Sequence, residues 1–346
     1  MDQPNNNPLG LNGFEFVEFT SPDPEAMARQ FEQLGFVPTH RHPTKNITRY
    51  KQGRINLMVN RDADGRVAAF RNEHGASASA MAFRVADPDA AMRWALSNGG
   101  KRTAEDDTVI EGIGGSYLYF IKDGEDLYGN WAEFSGWQAA EAANNVGLDL
   151  LDHLTHNVRR GQMRVWSEFY KTLFGFEEQK YFDIKGKATG LFSQAMIAPD
   201  KAIRIPLNES QDDKSQIEEF IRDYNGEGIQ HLALTTEDIF DTVERLRARG
   251  VKLQDTIETY YELVDKRVPG HGEDLERLRK NRILIDGDIK DEGLLLQIFT
   301  ENMFGPIFFE IIQRKGNEGF GNGNFQALYE SIELDQIRRG VVTVDD

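Results

Sequence analysis

Three residues of a kind that binds metal ions stand within apolar stretches of the chain. Glu310 lies in the run PIFFEIIQ, while His153 and His231 lie in LDHLTHNV and GIQHLALTT. A buried carboxylate needs a compensating partner, because an isolated charge is costly to remove from water. Two neutral imidazoles and one carboxylate that leave open positions on the metal form the facial arrangement typical of non-haem Fe(II) oxygenases. The three residues are therefore the candidate metal ligands.

A simpler interpretation exists for each residue taken alone, since a single His or Glu in an apolar strand is usually structural. His156 follows His153 at an odd spacing, and strand alternation places the two side chains on opposite faces. His153-Leu154 opens its unit as His231-Leu232 opens the next, which favours His153 as the ligand. The other histidines lie among polar residues and are predicted to be exposed: His40, His42, His74 and His271.

A recurring plan of strand, turn, helix and further strands predicts an α+β fold of four βαβββ modules. The helices are expected at 25–34, 90–97, 163–173 and 239–249, each followed by glycine. Repeats of this kind indicate shared architecture. Aligning the two halves places Met81 opposite His231 and Glu133 opposite Glu310. The N-terminal half is therefore predicted to keep the fold without the metal ligands, and Glu133 is interpreted as structural.

The length of 346 residues exceeds the usual size of one hydrophobic core, which predicts two domains, at 11–137 and 148–340. The small and polar segment 138–147 is predicted to be a linker, and the charged insert 255–292 a loop with a surface helix. Apolar residues at near-helical spacing in 324–340 predict a C-terminal helix with one buried face. The glycine-rich segment 316–324 lacks a Walker lysine and is predicted to be a flexible loop.

Composition excludes several classes of protein. The absence of cysteine excludes thiolate zinc sites and cysteine-ligated iron–sulfur clusters. The net charge of −17 is spread along the chain without a basic stripe, which argues against a nucleic-acid partner. The chain has neither an apolar signal region nor a run long enough to span a membrane. These observations predict a cytoplasmic protein with no membrane partner.

Five motifs, DHLTHN, GIQHLAL, LLLQIF, FFEIIQRKG and GFGNGNF, resemble those of the 4-hydroxyphenylpyruvate dioxygenases in the vicinal-oxygen-chelate superfamily. The resemblance covers nearly the whole chain and is strongest over 151–340. It implies two open half-barrel domains, of which the second holds one Fe(II) through His153, His231 and Glu310. It also implies an oxidoreductase of tyrosine and phenylalanine catabolism that converts 4-hydroxyphenylpyruvate and O2 to homogentisate and CO2. A homo-oligomer is expected.

The resemblance also assigns a substrate pocket. Polar residues that match positions orienting the keto acid and the phenol are Ser193, Asn208, Gln216, Gln230 and Gln297. Residues that match the wall around the aryl ring are Pro206, Phe299, Phe308, Phe320 and Phe325. Such a wall suits an aromatic substrate and keeps water away from the reaction. The C-terminal helix is expected to close over the mouth of this pocket as a lid.

Other functions on the same fold stay open. 4-Hydroxymandelate synthase takes the same substrate but hydroxylates the benzylic carbon; positions matching Pro206 and Phe325 are typically smaller or polar there, whereas this chain keeps Pro and Phe. An extradiol ring-cleaving dioxygenase would normally need a further active-site histidine, and His156 is expected outside the pocket. An aromatic-binding protein would use the cavity without redox chemistry, because a fold does not determine function.

Overall fold

The computed structural model describes residues 7–104, 106–185 and 190–328. Within these residues the first eight strands are β1 (Phe14–Thr20), β2 (Val37–Arg41), β3 (Ile47–Gln52), β4 (Ile55–Asn60), β5 (Ser77–Val85), β6 (Val109–Glu111), β7 (Tyr117–Lys122) and β8 (Ala132–Glu133). The helices among them are α1 (Pro24–Gln33), α2 (Gly65–His74), α3 (Pro88–Ser97) and α4 (Trp137–Asn144), with a 3₁₀ turn at Ile113–Gly115. These strands form one mixed sheet in the order β6-β7-β5-β1-β4-β3-β2-β8.

The remaining strands are β9 (Leu148–Val158), β10 (Glu177–Lys185), β11 (Gly190–Ile197), β12 (Arg204–Ser210), β13 (Gly228–Thr236), β14 (Leu284–Asp288), β15 (Gly293–Phe299) and β16 (Phe308–Lys315). Their helices are α5 (Met163–Phe174), α6 (Gln216–Asp223), α7 (Ile239–Ala248), α8 (Glu258–Glu262), α9 (Val264–Arg267) and α10 (Leu275–Asn281). These strands form a second eight-stranded sheet in the order β10-β11-β12-β9-β13-β16-β15-β14.

Element order confirms the predicted α+β class and the fourfold plan. A strand, a helix and three strands follow one another four times, beginning at β1, β5, β9 and β13. Two of the helices begin in the same way: Asp23 accepts a hydrogen bond from the Ala26 amide, Asp87 accepts one from the Ala90 amide, and a proline follows each aspartate. An aspartate cap followed by proline is a favoured helix start. Similar local signals therefore produce similar modules.

Two compact units are present in the described chain. One comprises 7–145, 149–232 and 302–308, and the other comprises 146–148, 233–301 and 309–328. No helix in the part of the chain that the structure describes is long and apolar enough to cross a membrane. The predicted C-terminal helix begins within the described residues, since 322–328 is helical. The remainder of that prediction, including the lid, lies outside the described residues.

Some sequence expectations were wrong. The segment predicted as a linker contains α4, because the run QAAEAAN is rich in strong helix formers. The insert predicted to lie on the surface contains three helices and β14, and the side chains of Tyr260, Tyr261 and Val264 in it are fully buried. Helices α2 and α6 were not predicted. The last strand of the second module, β8, is only two residues long.

Two histidines predicted to be exposed are buried. The Nδ1 atom of His74 lies 2.9 Å from the carbonyl oxygen of Tyr224, and the two rings stack at 4.6 Å between centroids. His271 is buried with its Nε2 atom 2.9 Å from Asp265. Tyr224 is far from His74 in sequence, so its packing could not be inferred from the polar neighbours of His74. His40 and His42 are half-buried.

Candidate metal centre

Strand β9 presents two of the site's side chains. His153 and Thr155 are both buried and, two residues apart, share one face of the strand. His156 points from the other face, where its Nε2 atom lies 2.7 Å from the Tyr170 hydroxyl of α5. The odd spacing of the two histidines thus separates their environments, as alternation predicts.

A carboxylate orients the His153 ring. The Oδ1 atom of Asp152 lies 2.8 Å from His153 Nδ1, and both side chains are buried. Arg204 lies on the other side of this carboxylate, with its Nη1 atom 3.5 Å from Asp152 Oδ2. When Nδ1 carries the proton and donates to the carboxylate, the Nε2 lone pair is left for a metal ion. Asp152 was not among the predicted site residues, and its only signal in the sequence is its position directly before His153.

The second histidine, His231, belongs to β13 and is held from several sides. Its Nδ1 atom lies 3.0 Å from Gln230 Oε1, and its Nε2 atom lies 3.0 Å from Thr155 Oγ1. Its ring stacks on Phe308 at a centroid distance of 4.8 Å. The His153 and His231 ring centroids are 5.6 Å apart. A Gln230 carbonyl that accepts from Nδ1–H selects the tautomer whose Nε2 can bind a metal.

The carboxylate, Glu310, is on β16 and is 2% exposed. Gln297 on the neighbouring strand β15 donates a hydrogen bond of 3.0 Å from Nε2 to Glu310 Oε1. Gln297 in turn accepts one of 2.9 Å from Asn324 Nδ2. The buried Gln297 amide thus has two side-chain partners. Ligating carboxylates are commonly held by such hydrogen bonds.

Among the described residues, one group of side chains could hold a metal ion: His153, His231 and Glu310, each of which offers a ligand atom within 4.8 Å of the others. Two imidazole nitrogens and one carboxylate suit a divalent transition metal better than a hard cation that prefers oxygen alone. Glu133, the counterpart of Glu310 in the first half, is exposed and accepts hydrogen bonds from Trp137 and Gln138. This agrees with its interpretation as a structural residue.

The other predicted pocket residues occupy varied positions. Ser193 and Asn208 are register partners on β11 and β12, and both are half-buried. Pro206 is buried in β12, whereas Gln216 is exposed at the start of α6. Phe299, Phe308 and Phe320 are half-buried, and Phe325 is 42% exposed. Their roles toward a substrate stay predictions.

Burial lowers the pKa of His156 to about 3 from its ordinary 6.5. The unfolded chain therefore binds more protons than the folded chain between these pH values, and stability falls as the pH drops below about 6.5. From this residue we expect a loss of about 2 kcal/mol at pH 5. Urea unfolding of the metal-free chain at pH 7.5 and pH 5 measures this loss in the free energy of unfolding. The His156→Gln variant, which has no titrating group at this position, is the comparison. Equal losses of stability in the parent protein and the variant would contradict the attribution of the loss to His156.

Fold and site together define a class: a protein of the glyoxalase type, built from βαβββ modules, with a His-His-Glu group that could bind a metal. Comparison with known families agrees. Residues 150–263 match the Glyoxalase/Bleomycin resistance protein/Dioxygenase superfamily. Residues 5–131 match the N-terminal domain family of hydroxyphenylpyruvate dioxygenase.

Individual relatives narrow the class. The chain is 54% identical to 4-hydroxyphenylpyruvate dioxygenase from Pseudomonas aeruginosa over 97% of both chains. It is 53% identical to hemolysin VllY from Vibrio vulnificus over 97% of this chain and 98% of that protein. A mutant of 4-hydroxymandelate synthase from Streptomyces coelicolor has a similar structure, with a TM-score of 0.80, 27% identity and coverage of 95% of this chain and 100% of that one. The chain belongs to the 4-hydroxyphenylpyruvate dioxygenase family.

Proposed function

We propose that this chain is an Fe(II)-dependent dioxygenase that converts 4-hydroxyphenylpyruvate and O2 to homogentisate and CO2. The observation that carries the proposal is the group of His153, His231 and Glu310, with ligand atoms within 4.8 Å of one another, in a chain 54% identical to a relative of that name. The donor set fits Fe(II), since two imidazoles and one carboxylate are the usual ligands of non-haem iron oxygenases. One iron per chain follows from one such group among the described residues.

The overall reaction balances without another reductant. The carboxyl group of the keto acid leaves as CO2, one oxygen atom enters the new carboxylate of the product, and the other enters the ring as the side chain moves to the neighbouring carbon. Iron, when bound, supplies the redox chemistry with O2 that amino-acid side chains lack. The protein's own contribution is to bind and orient the substrate and to exclude water.

Roles for the pocket residues follow from the family resemblance. Ser193, Asn208, Gln216, Gln230 and Gln297 are proposed to orient the keto acid and the phenol, with about 0.5–1.5 kcal/mol for each neutral hydrogen bond. The hydrophobic residues Pro206, Phe299, Phe308, Phe320 and Phe325 are proposed to bind the aryl ring. Gln230 has a further proposed role, because its contact with His231 Nδ1 also orients a metal ligand.

Benzylic hydroxylation is the second candidate, and the structural similarity to 4-hydroxymandelate synthase is the observation that supports it. Pro206 and Phe325 favour ring hydroxylation, since the family resemblance associates the benzylic outcome with smaller or polar residues there. We further propose the domain division at 11–137 and 148–340. A homo-oligomer and a cytoplasmic location stay predictions from the sequence.

An aerobic assay separates these functions. The purified chain is incubated with Fe(II), ascorbate and 4-hydroxyphenylpyruvate while O2 uptake is followed and the products are separated by chromatography. Separation is essential because homogentisate and 4-hydroxymandelate are isomers, so O2 and CO2 measurements cannot distinguish them. We expect homogentisate. Formation of 4-hydroxymandelate would refute the proposal that the ring is hydroxylated. Iron binding with no O2 uptake would refute the proposal that 4-hydroxyphenylpyruvate is the substrate.

A further inference from the structure

A chain of side-chain hydrogen bonds runs from the insert to the candidate metal ligand. The Tyr260 hydroxyl donates to Asn324 Oδ1 at 2.6 Å, Asn324 Nδ2 donates to Gln297 Oε1 at 2.9 Å, and Gln297 Nε2 donates to Glu310 Oε1 at 3.0 Å. All four side chains are buried. The first of them is itself held in place, since the Ile285 amide donates to the Tyr260 hydroxyl at 2.9 Å.

The direction of these bonds is determined by the carboxylate at one end of the series. An ionised carboxylate can only accept, so Gln297 must turn its NH2 group toward Glu310 and its carbonyl toward Asn324. Asn324 must then turn its own NH2 group toward Gln297 and its carbonyl toward Tyr260. Burial raises the pKa of Tyr260 to about 12, so its hydroxyl keeps its proton; the nearer acceptor is Asn324 Oδ1 at 2.6 Å, and the Ile285 carbonyl oxygen lies 3.1 Å away. Every amide therefore has one orientation that satisfies all partners.

Glycines allow the backbone of the segment 321–324 to approach the Gln297 side chain closely. A Cβ atom on Gly321 would lie 1.6 Å from Gln297 Oε1, and one on Gly323 would lie 2.0 Å from Asp286 Oδ1. The Gly323 amide also donates to Asp286 Oδ2 at 2.8 Å. The segment 321–324 is thus held against the Gln297 side chain, which gives the glycine-rich motif a role other than phosphate binding.

We propose that Tyr260 and Asn324 are positioning residues for the metal ligand Glu310, acting through the orientation of the Gln297 amide. Docking of the segment 321–324 then sets the orientation of the Gln297 amide and, through it, of the Glu310 carboxylate, so the start of the C-terminal helix is coupled to the metal centre. This inference rests on the proposed metal site. Outer partners of metal ligands affect affinity because they limit the directions in which the ligand can present its lone pairs.

Asn324→Asp tests the proposal with almost no change in volume. The introduced carboxylate cannot donate to Gln297 Oε1, so the Gln297 amide is expected to turn its NH2 group toward it and its carbonyl toward Glu310. We expect Fe(II) affinity of the full-length chain, measured without O2 by competition with a chromogenic chelator, to fall about 10- to 100-fold. The value of kcat for 4-hydroxyphenylpyruvate should fall with it.

Tyr260→Phe is the second variant, and it carries the test if Asn324→Asp does not fold. Loss of the hydroxyl leaves Asn324 free to turn, and we expect a smaller loss of iron affinity, about 3- to 10-fold, toward the low end of the range for outer partners. The control is Tyr261→Phe, which removes a hydroxyl from the adjacent, equally buried ring that makes none of these bonds. Its iron affinity should stay close to that of the parent protein, because the bonds that lead to Glu310 are all retained.

The Fe(II) affinity of the double variant, Tyr260→Phe with Asn324→Asp, distinguishes a positioning role of these residues from a general stabilising role. Residues that act in series through one amide should give a combined loss no larger than that of Asn324→Asp alone, whereas independent effects would multiply. Multiplied losses, or parent-like iron affinity in folded Asn324→Asp, would overturn the inference while leaving the proposed function intact. Failure of the parent chain itself to bind Fe(II) would instead refute the proposed metal site.

Discussion

Glu310→Ala is expected to abolish both iron retention and turnover while the chain stays folded. The change removes one of three candidate ligands, and the remaining two imidazoles lose the negative charge that offsets the charge of the metal. Turnover should fall by more than about 100-fold, beyond the range typical of changes to outer partners of a ligand. Iron content after gel filtration, O2 uptake and circular dichroism measure the three expectations.

The stability of the metal-free Glu310→Ala chain should change little. Removal of a buried carboxylate relieves the cost of its desolvation, while the Gln297 amide loses its acceptor, which costs about 1–3 kcal/mol. Glu133→Ala is the matched control, because it removes the equivalent carboxylate of the N-terminal half, which is exposed. That variant should retain iron and activity. Normal iron content with normal turnover in Glu310→Ala would refute the ligand assignment.

Gly321→Ala is expected to have the second largest effect. Gly321 has φ +74°, and an added Cβ would lie 1.6 Å from Gln297 Oε1, so either the side chain of Gln297 or the segment 321–324 must move. The left-handed backbone alone costs a residue with a Cβ atom about 1–2 kcal/mol. Displacement of Gln297 should in addition lower turnover about 10- to 100-fold. Steady-state kinetics and urea unfolding measure the two losses separately.

Gly316→Ala separates backbone strain from the clash. Gly316 also has a positive φ, +93°, but a Cβ there would meet only Gly293 Cα at an ordinary 3.6 Å. We expect this variant to lose a similar free energy of unfolding and to keep nearly all of its turnover. Equal kinetic losses in the two variants would show that strain in the glycine-rich segment, and not displacement of Gln297, limits activity.

Periodic signals in the sequence predicted the modules correctly. The fourfold plan and the α+β class could be read because each module carries its own local start and stop signals, such as the Asp-Pro pairs before α1 and α3. Segments without periodicity were predicted less well. The Ala-rich α4 was predicted to be a linker, and the insert that contains the tyrosines of α8 was predicted to lie on the surface because it is rich in charged residues. Burial is decided instead by packing against residues that are distant in sequence.

The sequence by itself determined the kind of chemistry and its candidate ligands. Residue types limited the metal donors to imidazole and carboxylate, and strand alternation distinguished His153 from His156, because the faces of a strand follow from a period of two. Only the tertiary structure decided which side chains hold those ligands in place. Asp152 at His153, Gln230 at His231, and the series from Tyr260 to Gln297 at Glu310 depend on side-chain directions and on contacts between distant segments. Hydrogen bonds act over about 3 Å, so their partners are known only once packing has brought the segments together.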